Sequence, residues 1–358
     1  MSNARAVFVW MAVLSAGTLL LGMLRELTIA QQLQASGAAD LFFRGVVVVG
    51  AARNFTLALL RARWIPLPPG PSPRALLRAG LPSCTAIALV SVAALAIVIP
   101  RAQWLTIESG VFAACVIVAA YGAAIRALSE RHGHERLGVA LDWVPLVSTI
   151  AGTLASDGVA LGAIGGLTVG LAIAMIVQLP TALREHDDVV THARAGAAPG
   201  WALYIDTLIY VNLGLVDSLL SLYVLDEGDF ALLSYGYLFV NAILAVPTAG
   251  ATILALRVGG RGRIADVEAM RKWALGAGAI AGLGVACVAG ALAWPPTGSL
   301  VDRAVGWTLA ERITGIVLAS APFAALRLAN TIGRQLRVAR DPDGLVRWDV
   351  IGLIVRAA

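Results

Sequence analysis

Long apolar runs separated by short polar stretches follow one another along the whole chain. A helix of about 20 apolar residues is long enough to cross the ~30 Å hydrocarbon core of a bilayer. Such runs lie near residues 6–29, 41–60, 79–99, 105–125, 137–155, 159–180, 201–225, 231–256, 273–294 and 310–330. A last apolar segment, Trp348 to Val355, is too short to cross alone. The pattern predicts an all-α polytopic membrane protein with ten full transmembrane helices and a partial eleventh, inside which the chain is expected to stop.

Composition and missing motifs narrow the class of protein. Only 14% of the residues are charged, against about 25% in soluble domains. The single lysine, Lys272, is not part of a Gly-Lys-Ser/Thr loop, so ATP hydrolysis through such a loop is excluded. Cys84, Cys115 and Cys287 fall in apolar runs without metal-type spacing and are expected to be packing residues. We find no catalytic arrangement or metal motif and expect a non-enzyme without a cofactor.

Arginines accumulate in every second loop, and this pattern predicts the orientation in the membrane. The basic loops are near residues 61–78, 126–136, 184–194, 257–272 and 327–347. Because cytoplasmic loops carry the excess of Lys and Arg, the N-terminus is expected inside. The formal charge of +5 belongs to these loops and calls for no nucleic-acid partner. One lysine among 27 basic residues is typical of a GC-rich bacterial genome. The expected location is the bacterial inner membrane.

The basic loop at 181–200 divides the chain into two blocks. Residues 1–180 hold six predicted spans and form the predicted N-terminal lobe, and residues 201–358 form an incomplete C-terminal lobe. Gly22-Met-Leu-Arg25 in the first span has a counterpart in Gly214-Leu-Val-Asp217 of the seventh. Internal repeats of this kind recur in transporters, although chance matching between apolar sequences is an equal alternative.

Five charged residues interrupt the first two apolar runs: Arg25, Glu26, Asp40, Arg44 and Arg53. An ionised side chain near the bilayer centre costs at least roughly 2.5–3.5 kcal/mol, so it usually faces water, a partner charge or a ligand. Three arginines against two acids favour an anionic ligand. The alternatives are a structural salt bridge for Arg53, interfacial anchoring for Arg25, Glu26 and Arg44, and local pairing or helix capping for Asp40.

The seventh span carries a second polar stripe. Asp206 and Asp217 are eleven residues apart and return to nearly the same helix face, with Tyr210 and Ser221 close to that line. A stripe of this kind can line a cavity or hold a coupling cation or proton. The alternative is that Asp206 is merely interfacial and that Asp217 alone matters.

The charged hairpin also resembles a known family. Gly22-Met-Leu-Arg25-Glu26, Asp40-Leu-Phe42-Phe43 and Arg53 resemble the first hairpin of the MurJ/MviN family of lipid-linked oligosaccharide flippases. Val216-Asp217 and Tyr235-Gly236-Tyr237 are similar to its seventh and eighth helices. The resemblance implies the fold of the MOP superfamily, in which two six-helix lobes surround a V-shaped cavity with alternating access.

The resemblance also implies roles for particular residues. Arg25, Asp40 and Arg53 match cavity residues of the family, and with Arg44 they are the predicted substrate-binding residues; Asp217 matches the cation site. Three positions depart from the family. Leu19 stands where the family has an arginine, as does Leu238 or a close neighbour, and Gln34 replaces a common glycine.

These observations predict a flippase that moves a polyprenyl-pyrophosphate-linked glycan, either lipid II or an exopolysaccharide precursor. Arginine suits bidentate recognition of a pyrophosphate, and a gradient of Na⁺, H⁺ or potential could drive the cycle without ATP. Its expected partners are the lipid-linked oligosaccharide, membrane lipids and glycan-assembly proteins. Two alternatives stay open: an exporter of the multidrug-and-toxin-extrusion type, and a transport-inactive membrane scaffold.

Overall fold

The computed structural model describes residues 2–64, 72–99, 106–156, 159–184, 224–241, 243–244 and 264–338. Those ranges contain helices joined by short turns and no strand, so the all-α prediction is confirmed for them. In chain order the helices are α1 (Ser2–Leu33), α2 (Gly37–Trp64), α3 (Pro73–Val98), α4 (Ile107–Arg131), α5 (Glu135–Leu141), α6 (Trp143–Leu154), α7 (Ala160–Leu183), α8 (residues 229–241), α9 (Ile264–Ala293), α10 (Pro295–Val305), α11 (Leu309–Ala319) and α12 (Ala321–Val338).

Many of these helices are long and apolar enough to cross a membrane. Within the described residues six qualify: Gly37–Arg61, Pro73–Val98, Ile107–Arg131, Arg136–Leu154, Ala160–Leu183 and Glu268–Ala293. The pair α11 and α12, bent by 50° at Ser320, makes a seventh if it is one span. The protein is therefore a multi-pass membrane protein. The total of ten spans and a partial eleventh stays a prediction, because the spans near 201–225 and 348–355 lie largely outside the described residues.

Two local features differ from the simple pattern of apolar runs. The predicted span 137–155 consists of two helices, α5 and α6, which meet at Asp142. A short helix that the apolar pattern did not indicate, α10, follows α9. It begins at Pro295 and ends at Gly306, whose φ of +81° is the left-handed conformation that commonly terminates helices. The Asp302 carboxylate of α10 then accepts a 2.7 Å hydrogen bond from the Ala310 amide at the start of α11.

The helices α1 to α7 form one packed group. Helix α4 lies between α2, α3 and α7, while α6 packs against both α1 and α7. Small residues permit the closest approach, between α6 and α7. A Cβ atom on Gly166 would lie closer than 3.0 Å to the Ser148 carbonyl. Glycines in such positions let two transmembrane backbones pack directly against each other.

The second group contains α9, α11 and α12, with α9 packed against the other two. It meets the first group where α1 ends. The Trp307 indole donates a 2.7 Å hydrogen bond to the Ala30 carbonyl, and the Tyr235 hydroxyl of α8 donates one of 2.9 Å to the Gln34 carbonyl. One hydrophobic core runs through this junction, from Phe42 to Ile313. We call this side of the molecule, around residues 30–40, the Gln34 end. The predicted lobe boundaries fall on residues 181–200, most of which lie outside the described ranges.

Candidate functional site

A cavity of about 380 Å³ lies between α1, α6 and α8. Its volume is in the lower part of the ~300–1,000 Å³ range typical of small-molecule sites. Its described lining consists of Thr18, Leu19, Gly22, Met23, Arg25 and Glu26 from α1, Leu146 from α6, and Ser234, Leu238 and Asn241 from α8. Helix α8 packs against α11 of the second group, since a Cβ atom on Gly236 would lie 2.7 Å from the Ile316 side chain. Because α1 and α6 belong to the first group, the cavity lies where the two groups meet. We call it the central cavity.

Helical spacing explains why α1 supplies most of this lining. Thr18, Gly22 and Arg25 are separated by four and three residues, so they lie on one face of the helix. A Cβ atom on Gly22 would meet no atom within 4 Å. Glycine at this position therefore leaves space in the cavity, one turn before the charged residues.

Arg25 and Glu26 form an ion pair in the cavity wall, in which an Arg25 Nη atom donates to Glu26 Oε1. Their side chains are 16% and 11% exposed. Arg25 Nε and Glu26 Oε2 are buried and have no hydrogen-bond partner among the described residues. Buried polar atoms without partners are uncommon, so the pair leaves one donor and one acceptor whose hydrogen bonds are not made among the described residues. These are the two charged residues of the described lining, and their charges cancel.

The other walls of the central cavity are mainly apolar. Leu19, Met23, Leu146 and Leu238 contribute side chains to it. Leu19 and Leu238 are also the two leucines singled out above, at or next to positions where the family it resembles carries arginine. Both departures therefore fall on this cavity, and Arg25 is the arginine of its described lining.

Asp40 lies at the Gln34 end, outside the described lining of the central cavity. Its carboxylate accepts hydrogen bonds from the amides of Gly228 (2.9 Å) and Ala231 (2.7 Å), at the start of α8. A carboxylate is stabilising there because the N-terminus of a helix is partially positive. Gly228 has φ of +88°, and a Cβ atom on it would lie 2.5 Å from the Ala35 carbonyl oxygen. Asp40 thus joins α2 to the first turn of α8, a longer-range capping role than the local one that its sequence position indicates.

Arg44 belongs to the same junction. Its guanidinium lies 3.9 Å from the Asp40 carboxylate and over the Phe230 ring, 5.3 Å from the ring centroid. Both Asp40 and Arg44 are buried. These contacts give the two residues partners within the protein, while their predicted roles in substrate binding stay predictions.

Arg53 lies in a different part of the molecule and pairs with Asp142 at the junction of α5 and α6. Asp142 also accepts a 2.6 Å hydrogen bond from Arg126, which bonds to Glu130 at 2.9 Å. Glu130 in turn accepts from Arg61. The salt bridge that the sequence left open as an alternative for Arg53 is thus present, and its predicted role in binding substrate stays a prediction.

We call this group of five residues the arginine network, which joins α2, α4 and the α5–α6 turn. Three of its members, Arg53, Arg126 and Asp142, line a second cavity of about 20 Å³, which has room for about one water molecule. Arg126 was expected in a basic loop. The structure shows instead that α4 continues to Arg131 and that Arg126 is buried. The spacing of four residues between Arg126 and Glu130 was the available signal for this pair.

Asp217 and Asp206 lie outside the described residues, so the predicted ion-coupling site stays a prediction. Across the described ranges, no group of three His, Cys, Asp or Glu residues is arranged to hold a metal ion.

Comparison with known proteins places the fold. No family model matches this chain, and no curated protein matches it significantly. Among solved structures, it is similar to the lipid II flippase MurJ in an inward closed conformation, with a TM-score of 0.64 and 10% identity over 93% of this chain and 76% of that one. It is also similar to a multidrug resistance MATE family transporter of the MOP superfamily in an inward-facing conformation, with a TM-score of 0.59 and 13% identity over 95% and 86% of the two chains. At these identities the likeness concerns the fold alone. The chain is a multi-pass membrane protein whose fold is similar to the folds of these two transporters.

Proposed function

We propose that this protein is an alternating-access flippase for a lipid whose head group carries phosphate. The observation that carries the proposal is Arg25 in the wall of a cavity of about 380 Å³ where the two helix groups meet. A guanidinium can bind a phosphate through two parallel hydrogen bonds, which makes arginine suited to this ligand. The lipid II flippase that shares the fold also moves a lipid-linked molecule, and this agrees with the proposal.

The finer proposal is a polyprenyl-pyrophosphate-linked glycan, lipid II or an exopolysaccharide precursor, moved across the bacterial inner membrane. The cavity is small enough that the pyrophosphate and its nearest sugar would occupy it, with the polyprenyl chain remaining in the bilayer. Apolar walls at Leu19, Met23, Leu146 and Leu238 suit the part of the ligand next to the chain. Coupling to Na⁺, H⁺ or the membrane potential through Asp217, and recruitment by glycan-assembly proteins, belong to the same proposal.

The contacts at the Gln34 end support a cycle of alternating access. Asp40, Tyr235 and Trp307 make hydrogen bonds between elements that belong to different parts of the bundle. With the predicted orientation this end faces outwards, so the cavity would be closed from the outside. Opening to the outside would then require these hydrogen bonds to break.

The test is flipping of a fluorescent polyprenyl-diphosphate-linked N-acetylhexosamine by the full chain in proteoliposomes. Loss of hydrogen bonds to a charged group costs about 1.5–3 kcal/mol, so Arg25→Ala should slow flipping by about 10–100-fold. Arg25→Lys should recover part of the rate, because an ammonium cannot reproduce the two-pronged contact. The matched control is Arg303→Ala, which removes an exposed arginine of α10 that bonds within its own helix. Wild-type flipping in Arg25→Ala would rule out the proposed site.

One observation favours a second candidate, an exporter of organic cations. Glu26 contributes a carboxylate to a lining that is otherwise mainly apolar, which suits an aromatic cation. Proteoliposomes loaded with ethidium distinguish the two functions. The exporter is supported if ethidium leaves in a Glu26-dependent way while the diphosphate lipid is not flipped.

A further inference from the structure

The proposed function needs the guanidinium of Arg25, yet one of its Nη atoms already donates to Glu26. We propose that Glu26 is an internal competitor for Arg25: it leaves the arginine when the substrate phosphate binds and then takes up one proton from water. Substrate and proton would in this way enter the central cavity together. This inference rests on the proposed function and assigns Glu26 a role in it.

Glu26 and a substrate phosphate would compete for the same side of Arg25. Glu26 directly follows Arg25 on α1, and both side chains belong to the lining of the central cavity. One Glu26 oxygen accepts from Arg25 while the other has no partner among the described residues. A phosphate that approaches Arg25 from the cavity therefore competes with Glu26 for the same Nη donor.

Few charges would surround Glu26 once its ion pair with Arg25 is broken. The Glu26 side chain is only 11% exposed, and the described cavity lining contains no cation besides Arg25. The part of the described lining outside α1 consists of Leu146 from α6 and of Ser234, Leu238 and Asn241 from α8. Further charged and titratable groups lie on neighbouring helices: Arg327 of α12 donates a 2.9 Å hydrogen bond to the side chain of the lining residue Asn241. Tyr235 of α8 is close enough to interact electrostatically with Glu26 and with Asp40 of α2, two carboxylates that carry the same charge.

A buried carboxylate without a cation is strongly disfavoured, and it avoids that state by binding a proton. The ligand makes this more favourable still. A diphosphate diester brings two negative charges into a cavity whose own charges cancel, and protonation of Glu26 removes one of the two excess charges. The proton comes from water, remains on a Glu26 carboxyl oxygen, and returns to water when the phosphate leaves and the ion pair forms again.

The experiment is calorimetric titration of the purified full chain in detergent with farnesyl diphosphate, in two buffers of different ionisation enthalpy. The dependence of the measured heat on the buffer gives the number of protons taken up. The ligand's own protonation is the same for all variants, so a comparison isolates the contribution of Glu26. Wild type should take up about one proton more per ligand than Glu26→Gln, as linkage requires for a group that changes from ionised to protonated. Glu26→Gln should also bind roughly tenfold more tightly, the scale of one charge-assisted hydrogen bond.

A second measurement needs no variant of Glu26. Farnesyl sulfate keeps a constant charge near neutral pH, so any pH dependence of its affinity comes from the protein. If Glu26 takes up a proton on binding, wild-type affinity should weaken as the pH rises, by up to about tenfold per pH unit.

The outcomes separate this inference from the proposed function. Equal proton uptake by wild type and Glu26→Gln, or constant affinity for farnesyl sulfate, would overturn the role of Glu26 and leave the Arg25 site intact. Binding of farnesyl diphosphate by Arg25→Met as strongly as by wild type would instead overturn the proposed site itself.

Discussion

Gln34 ends the first helix in an uncommon backbone conformation. Its φ of +51° lies in the left-handed region, which costs roughly 1–2 kcal/mol for residues with a side chain and almost nothing for glycine. The Gln34 carbonyl accepts the hydrogen bond from Tyr235, so the contact with α8 holds this conformation in place. The glycine that is common here in the family it resembles would adopt it without strain.

We expect Gln34→Gly to stabilise the protein by about 0.5–1 kcal/mol, because relief of the strained conformation exceeds the greater flexibility of glycine when unfolded. The measurement is thermal or denaturant unfolding in detergent. Gln31→Gly is the matched control, since Gln31 is an exposed residue within the same helix. That variant should lose about 1 kcal/mol, the usual cost of glycine in a helix. Equal destabilisation by both variants would show that the Gln34 conformation carries no strain.

Close packing of α6 and α7 depends on individual glycines. Gly166 faces the backbone of α6 at Ser148 and Thr149, while at neighbouring Gly165 a Cβ atom would meet nothing within 4 Å. The two glycines lie in the same turn of α7 and differ in the side of the helix that they occupy. They therefore separate the packing requirement from the helix propensity of glycine.

Gly166→Ala should destabilise the protein by about 1–3 kcal/mol, because the added methyl group must push two backbones apart. Gly165→Ala should be neutral or stabilising by up to about 1 kcal/mol, since alanine is the better helix former and the space is open. Unfolding in detergent, monitored by circular dichroism, compares the two variants with wild type. If Gly165→Ala were the more damaging of the two, the described α6–α7 contact would be wrong.

Hydropathy located the long helices well, but it did not locate the breaks and bends within them. The runs at 41–60, 79–99 and 159–180 each lie in or largely overlap one observed helix. The break at Asp142 and the bend at Ser320 were missed because an average over about 20 residues does not detect a single turn. Helix α10 was missed because Pro295–Val305 is short and largely exposed. Its ends are marked instead by proline and glycine.

The same limit applies to the candidate site. The charges in apolar runs drew attention to Arg25, which lines the central cavity, while its role in binding stays a prediction. For Asp40 and Arg53 the same signal could not separate a ligand from an internal partner. Their partners are 188 and 89 residues away in the sequence, and no local spacing reveals a contact at such a distance. Leu19 and Leu238 stand at or near positions where the family it resembles has arginine. These departures became informative only when the structure placed both leucines in one cavity.

Across the whole molecule, charged residues act differently at the two ends of α2. The arginine network joins α2, α4 and the α5–α6 turn, all within the first helix group. Asp40 instead connects that group to α8, with Trp307 and Tyr235 beside it. The network would therefore move as part of one body, whereas the Asp40 contact must break if the Gln34 end opens. A substitution at Asp40 should thus affect opening more than it affects the folding of either group.

We expect Asp40→Asn to increase opening at the Gln34 end. Asparagine has one side-chain acceptor oxygen, so it can satisfy only one of the buried amides of Gly228 and Ala231, and it lacks the charge that favours the start of α8. Losing one charge-assisted hydrogen bond costs about 1.5–3 kcal/mol, which corresponds to an increase of about 10–100-fold in the open population. The measurement is maleimide labelling of Ala231→Cys, a fully buried position, in detergent-solubilised protein whose three native cysteines are replaced. Asp226→Asn is the control, because Asp226 is an exposed acid close to the same helix end, and it should leave the labelling rate unchanged. If Asp40→Asn labelled no faster than this control, the Asp40 hydrogen bonds would not be what keeps the Gln34 end closed.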